Sequence, residues 1–346
     1  MKDTAIYALT RKGAALGRFL AGRESGDLFL TQNLASEDDG TVILFDSLME
    51  KVGKVFNDYR NHIFITAAGI AVRTIAPCIR SKDLDPAVVV LDQRGQYCIS
   101  LLSGHMGRAN ELALRIASLT GGQAVITTAT DTEGLLSIDV LAMKRGMAIA
   151  NINGIKHINS AILKGEPIQV FDSDNRLGFM DHPPEGITIH YCKSEDNWVS
   201  GMPGIWVDWH LKSLPRGGLL LNPRCLVAGI GCNRGTSADE IAGLIRQVLS
   251  DEGISIQSLR ALATVDMKKD ETGLIEAAAR LGIHLVFFSR EQIENVDVPH
   301  PSLIVKRHMG VKSVCEATAI LCAGKGRLII PKRKSRNATL AVALEH

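Results

Sequence analysis

Short apolar runs alternate along this chain with stretches in which the apolar positions return every three or four residues, the two spacings that separate buried strands from amphipathic helices. Read in order, residues 6–9 predict a strand and 12–22 a helix, followed by strands over 28–31 and 42–45. Asp46 and Ser47 then cap a helix that runs to about Tyr59. A strand around Ile63, a short helix over 69–75 and strands over 87–92 and 97–102 come next, the last two joined by a Gln93-Arg-Gly-Gln96 hairpin turn. From Ala109 the helical spacing is explicit: Ala109, Leu112, Ala113 and Ile116 share one face, and Arg108, Glu111, Arg115 and Ser118 the other. A further apolar strand starts at Ala124. Strands alternating with helices imply a mostly parallel sheet covered on both faces, to which the hairpin adds one antiparallel edge.

Past Asp131 the pattern predicts helices over 135–145 and 152–164, and then the texture changes. Residues 166–222 hold Pro167, Pro183, Pro184, Pro203 and Pro215, all three tryptophans and short β-prone pieces over 168–171 and 187–191, which reads as a small α+β unit. From Arg224 the α/β rhythm returns. A strand from Cys225 runs into the glycines at 229, 231 and 235, and Ser237-Ala-Asp-Glu240 reads as a capping box that opens a helix to about Leu249. A strand over 259–265, a helix over 272–281, a strand over 284–288, a short helix from Arg290, a helix over 312–322 and strands over 328–331 and 340–343 complete the chain. The predicted fold class is therefore α/β: mostly parallel N-terminal (1–140) and C-terminal (223–346) domains joined by a small α+β middle domain (141–222).

Composition narrows the function classes. At 346 residues the chain exceeds one ordinary domain, and 46% hydrophobic residues suffice for more than one core. Lys and Arg number 39 against 37 Asp and Glu, a net charge of +2 that excludes a polybasic protein overall. No apolar run reaches the length of a membrane span, and Met1-Lys-Asp-Thr-Ala-Ile-Tyr enters a strand instead of a signal-peptide core, so a soluble, cytoplasmic chain with no membrane partner is expected. The 7 cysteines are scattered and form no CxxC pair, which points to neither a disulfide framework nor a zinc site; nor do His182, His190 and His210 follow a metal-ligand spacing. Lys306, Arg307, Lys312, Lys325, Arg327, Lys332, Arg333, Lys334 and Arg336 outweigh Glu316 and Glu345 near the C-terminus. No aromatics interleave these charges, so a small polycarboxylate suits them better than nucleic acid.

Candidate chemistry gathers where strands end. Ser103-Gly-His-Met-Gly-Arg108 joins an apolar strand to the helix from Ala109, placing His105 between glycines beside the amides of a helix N-terminus, where an anion can sit and a proton can move. The run after Ala124 ends in Thr127-Thr-Ala-Thr-Asp131, and the strand around Ile63 leads through Gly69 to Arg73. If these strands are parallel, all three polar ends emerge at one edge of the sheet. The turn after Gly229 offers amides to a carboxylate or phosphate. Its G-x-G-x-x-x-G spacing is not the dinucleotide fingerprint, and Asp266 lies about ten residues beyond the position of a ribose-binding acid.

These motifs resemble a known family. Gly69-Ile-Ala-Val-Arg73 with Pro77, 85–92, Ser103-Gly-His-Met-Gly-Arg-Ala-Asn110 and Thr127–Asp131 look like the N-terminal domain of the cobalt-precorrin-5A hydrolases, the CbiG family of cobalamin biosynthesis. Gly229–Gly235, 263–271, 287–289, 310–317 and 330–332 resemble its C-terminal domain. Arg108 departs from that pattern by standing where glycine is expected. The resemblance implies a cobalt-bearing tetrapyrrole polycarboxylate as substrate, an acetate lactone opened by water, and release of a two-carbon fragment as acetaldehyde to give cobalt-precorrin-5B. Cobalt arrives with the substrate, so no protein cofactor is implied. In this reading His105 is the base for one or both steps, Asp131 orients it or serves the second, and amides near Gly104 and Gly107 face the oxyanion. Arg73, Arg108 and Asn110 hold peripheral carboxylates, and Ser103, Thr127, Thr128, Gly231 and Lys332 complete the expected substrate contacts. Cys232 is read as packing and Glu316 as helix surface. Two rivals stand beside the hydrolase, a non-catalytic corrinoid carrier and an NAD(P)-dependent oxidoreductase on the Gly229 turn. A homodimer is the assembly considered.

Overall fold

The computed structural model describes residues 2–35, 42–299 and 313–345, and it divides into two compact units, 1–140 and 141–346. The first is built on a sheet of β1 (Lys2–Ala8), β2 (Asp27–Thr31), β3 (Val42–Phe45), β4 (Tyr59–Ile65), β5 (Ala87–Leu91), β6 (Tyr97–Leu102) and β7 (Gln123–Val125), in the order β3-β2-β1-β4-β5-β6-β7. Alternate residues of its central strands serve opposite faces, as the two-residue period of a strand requires. Ile6, Leu28, Ile63 and Val89 pack with Leu20 of α1 (Arg11–Glu24) and Leu112 and Ile116 of α4 (Ala109–Thr120). Tyr7, Phe29, Phe64 and Val88 pack on the other face with Val52 of α2 (Leu48–Val55) and with Ala71 and Ile75 of α3 (Ala68–Ile75). Because both faces are covered, β5 is apolar throughout and every residue of it is buried.

The hairpin after β5 decides the geometry of the site. Asp92 accepts hydrogen bonds from the amides of Arg94 (2.8 Å) and Tyr97 (2.7 Å), and Gly95 supplies the left-handed residue of the turn. β6 therefore returns antiparallel to β5, with Leu102 opposite Val88, and β7 follows parallel to β6 through α4. The expectation that the ends of β4, β6 and β7 share one edge is not met. β6 and β7 end where β5 begins, whereas α3 with Arg73 follows the opposite end of β4, a strand length of about 15 Å away. The hairpin reverses two strands instead of adding one at the edge.

The second unit holds two sheets. β8 (Met147–Ile149), β9 (Ile168–Phe171), β10 (Ile189–Tyr191), β11 (Gly204–Val207) and β12 (Gly218–Pro223) form one in the order β10-β9-β11-β12-β8, parallel except for β8. β13 (Leu226–Cys232), β14 (Leu259–Val265), β15 (His284–Phe288), β16 (Arg327–Lys334) and β17 (Ala338–Leu344) form the other in the order β15-β14-β13-β17-β16. Here β13 to β15 are parallel and the last two strands return as an antiparallel pair. The two sheets are tied by the Ser255 hydroxyl donating to Asn222 (2.9 Å) and by a bridge of His210 with Ile254.

Two readings of local sequence change in this unit. Ser237 does cap the following helix (Ala238–Asp251), but Glu240 does not complete a capping box; its carboxylate accepts from the Ser335 hydroxyl and the Asn337 amide, both at 2.7 Å. Glu316, on the helix Val314–Cys322, is fully buried instead of on the surface, and it accepts from the Lys332 amide at 3.1 Å. Lys306, Arg307 and Lys312 of the basic stretch lie outside the described residues.

Candidate active site

β6, α4 and β7 make a parallel strand-helix-strand unit, so the segments leaving the two strands are neighbours. The first is the Ser103–Gly107 turn and the second leads into α5 (Ala129–Thr132). The imidazole of His105 lies between them. Its Nε2 contacts Asp131 Oδ2 at 2.7 Å; its Nδ1 lies 3.0 Å from Ser137 Oγ and 3.2 Å from Asp139 Oδ2. Asp139, at the start of α6 (Ile138–Lys144), also accepts from the Ser137 hydroxyl. The His105 side chain is 11% exposed, Asp139 7% and Asp131 40%, so the imidazole is anchored from the interior by one carboxylate and faces outward to another.

Two acceptors on the two ring nitrogens favour the imidazolium. The hydrogen bond to Asp139 is the largest influence; burial opposes it, and the bond to Asp131 and the two negative charges add to it, so the pKa of His105 rises above its ordinary value. Asp131 Oδ2 also accepts from Asn110 Nδ2 (2.8 Å), which in turn donates to Thr128 Oγ1 (3.0 Å). Among the described residues Oδ1 of Asp131 has no protein donor. Among the described residues, Ser103 Oγ, Asn110 Oδ1 and Thr130 Oγ1 are also buried without a protein partner. A buried polar atom left unpaired costs about 1–3 kcal/mol, and three of them on the segments that carry His105 and Asp131 mark this as a place where a polar ligand meets the protein.

The turn itself differs in detail from its reading as an open anion cradle. The amides of Arg108, Ala109 and Asn110 are consumed by the carbonyls of His105, Ser103 and Gly104. A Cβ on Gly104 would lie 2.8 Å from Asn110 Oδ1, and one on Gly107 would lie 2.4 Å from the Cβ of Ser103. These glycines let the turn fold against itself. The donors it still offers, among the described residues, are the amides of Gly104, His105, Met106 and Gly107. Arg108 occupies a left-handed conformation (φ 68°), which is why glycine suits the position, and its exposed side chain pairs with Glu111.

The structure thus brings together His105, Asp131, Asn110, Thr128 and Ser103. Thr127 is exposed and makes no side-chain hydrogen bond among the described residues, and Arg73 reaches only its own helix carbonyl at Gly69 (3.5 Å). Gly231 and Lys332 lie in the second unit, where they line a cavity of that unit. The Gly229 turn does not offer the cradle expected of it, because the Gly235 amide donates to Glu271 (2.7 Å), and Gly229 itself lies tight against the carbonyl of Cys315. Sequence reasoning missed Ser137, Asp139 and Thr130. Ser137-Ile-Asp139 reads as the opening of a helix, and nothing in its spacing points 32–34 residues back to His105.

Fold and site together define a class: an α/β protein of parallel-rich sheets that holds one histidine between two carboxylates at a strand-helix-strand edge. The chain belongs to the cobalamin synthesis G family. The family's models match in order, cobalamin synthesis G N-terminal over 50–131, cobalamin biosynthesis central region over 136–223 and cobalamin synthesis G C-terminus over 226–343. A cobalt-precorrin-5A hydrolase of Priestia megaterium is 31% identical over 355 aligned positions that span 99% of this chain and 95% of that protein. Its counterpart in Salmonella typhimurium is also 31% identical, over 100% of this chain and 98% of that one. Among solved structures, CobE, a protein from the cobalamin biosynthetic pathway, is 36% identical over 34% of this chain and 92% of its own, with a TM-score of 0.33.

Proposed function

We propose that this chain is a cytoplasmic cobalt-precorrin-5A hydrolase that opens the acetate lactone of a cobalt-bearing tetrapyrrole and releases acetaldehyde. The observation that carries the reading is the full-length similarity to two hydrolases of that name, joined to a histidine held between carboxylates. Cobalt belongs to the substrate, and no further cofactor enters the reaction.

Lactone opening requires a base for water and an acid for the leaving oxygen. The free Oδ1 of Asp131 takes a proton from the attacking water. The amides of the His105 turn face the developing oxyanion, and the imidazolium of His105 protonates the oxygen that leaves the acyl carbon. Asp139 and Ser137 hold the ring so that Nε2 is the working nitrogen, the role a buried carboxylate plays for other catalytic histidines. In the second step the freed hydroxyl returns its proton to the site and its C–O bond becomes the carbonyl of acetaldehyde. The carbon–carbon bond to the macrocycle breaks, and the ring carbon takes the electron pair and a proton. His105 is then an acid in the first step before it can serve as a base, a change of order from the role its motif alone implies.

The test is anaerobic incubation of the purified chain with cobalt-precorrin-5A and measurement of acetaldehyde. Release that is lost in Asp131→Asn supports the reading. Substrate binding with no acetaldehyde sinks it in favour of a carrier.

A further inference from the structure

The hydrolytic chemistry leaves a cavity of the second unit unused. β13 and β14 are parallel and end at one edge of the C-terminal sheet, while β17 and β16 return on the far side of β13, so the winding reverses at that strand. Open α/β sheets take ligands there, outside the carboxyl ends of the strands. At this place a cavity of about 420 Å³ is lined by Gly231 and Cys232 at the end of β13, Thr264 near the end of β14, and Lys332 and Lys334 of β16. The β16–β17 turn adds Arg336, and Lys268 adds a fourth cation.

The charges are not balanced from within. Lys268 is paired with Glu271 at 3.2 Å. Among the described residues, Lys332, Lys334 and Arg336 have no carboxylate within ion-pair distance. Glu240, which senses the charge of Arg336, is occupied by Ser335 and Asn337, and Glu316 is occupied by the Lys332 amide and does not line the cavity. The register of β16 against β17 shifts between Ile330 and Arg333, and Lys332, within that irregularity, lines the cavity together with Lys334. Three cations gathered without an ion-pair partner among the described residues repel one another, and a bound anion with several negative groups relieves that repulsion.

We propose that this cavity binds carboxylate arms of a tetrapyrrole and holds it by its periphery. The inference rests on the hydrolase reading for the kind of molecule and on the cavity for the manner of binding. The volume lies at the lower end of small-molecule sites, which suits short carboxylate arms and not a whole macrocycle with its substituents. The ligand chemistry is thus a pair of neighbouring carboxylates presented on a larger body that remains outside.

The test uses the full chain and two stable corrins, dicyanocobyrinic acid with its carboxylates free and its heptamethyl ester, in equilibrium dialysis read from the corrin absorbance. The acid binds, more weakly as salt is raised, and the ester does not. The variant carrying Lys332→Ala, Lys334→Ala and Arg336→Ala binds the acid weaker by about tenfold for each cation removed, while Lys332→Arg, which keeps the charge, binds as the wild type does. Three results overturn the proposal: no binding of the acid, equal binding of acid and ester, or unchanged binding by a triple variant whose melting temperature matches the wild type. Displacement of the acid by equimolar citrate also overturns it, by reassigning the cavity to a free polycarboxylate. Acetaldehyde release is scored separately, so a chain that binds the acid through these cations yet releases none keeps this inference and loses the hydrolase.

Discussion

His105 carries an acceptor on each ring nitrogen, and the two acceptors have different consequences. Asp139 is buried and its bond is the largest influence raising the imidazole pKa, so Asp139→Asn lowers that pKa. The limb of the kcat/KM profile that reports loss of the imidazolium then moves to lower pH, and kcat falls about tenfold; a role in folding alone would leave the limb in place. Asp131→Asn removes the proposed base and costs about 10²–10⁴-fold in kcat with KM little changed, measured by acetaldehyde release. Arg108 poses a separate question of backbone energy. A left-handed residue other than glycine costs about 1–2 kcal/mol, and the exposed pair with Glu111 returns less than about 1, so Arg108→Gly raises stability by about 1 kcal/mol in thermal unfolding. His105 and Asp131 were legible because each lies in the segment that follows an apolar strand, β6 and β7. Asp139 was not, because its meaning comes from a partner 34 positions away.

Elements were legible mostly from period and caps, and what escaped was direction. The hairpin at Asp92–Tyr97 was visible, yet its effect on β7 was not, since a strand's direction is inherited through the helix before it. That inheritance sets Arg73 and His105 at opposite edges of one sheet. A second element-level device is the seat of the helix Val314–Cys322 on β13. A Cβ at Gly229 would lie 1.8 Å from the carbonyl of Cys315, so Gly229→Ala pushes that helix off the sheet and destabilises the chain by about 3 kcal/mol. Gly243 lies inside the helix Ala238–Asp251 with nothing within 4 Å of an added Cβ, and Gly243→Ala stabilises by roughly 0.5–1 kcal/mol. Melting temperatures that move in opposite directions for the two substitutions confirm the distinction, and a fall in both refutes it.

For the molecule as a whole, two histidines of the first unit give stability a dependence on pH with opposite signs. His62 is fully buried, bonded to Tyr7 Oη and the Phe56 carbonyl, and burial pushes its pKa down from 6.5 to about 4. Between those values the unfolded chain binds the proton and the folded chain does not, so stability falls on acidification from pH 6.5 by about 3 kcal/mol at most. His105 has a raised pKa, so its contribution is present below pH 6.5 and is lost as pH rises through the folded value. These two groups therefore place their combined maximum near pH 6.5, and His62→Gln flattens the acid side of a urea-unfolding series while leaving the alkaline side intact. The sequence by itself determined the α/β class, the rhythm of strands and helices, the caps and the strand-ending motifs, because these follow from periods and turn chemistry within a few residues. Only the tertiary structure decided which edge each motif occupies, that Asp139 and Ser137 join His105, that Glu271 fills the Gly235 turn and that four cations line one cavity. Those depend on strand direction and on pairings between positions far apart in the chain, which no local pattern encodes.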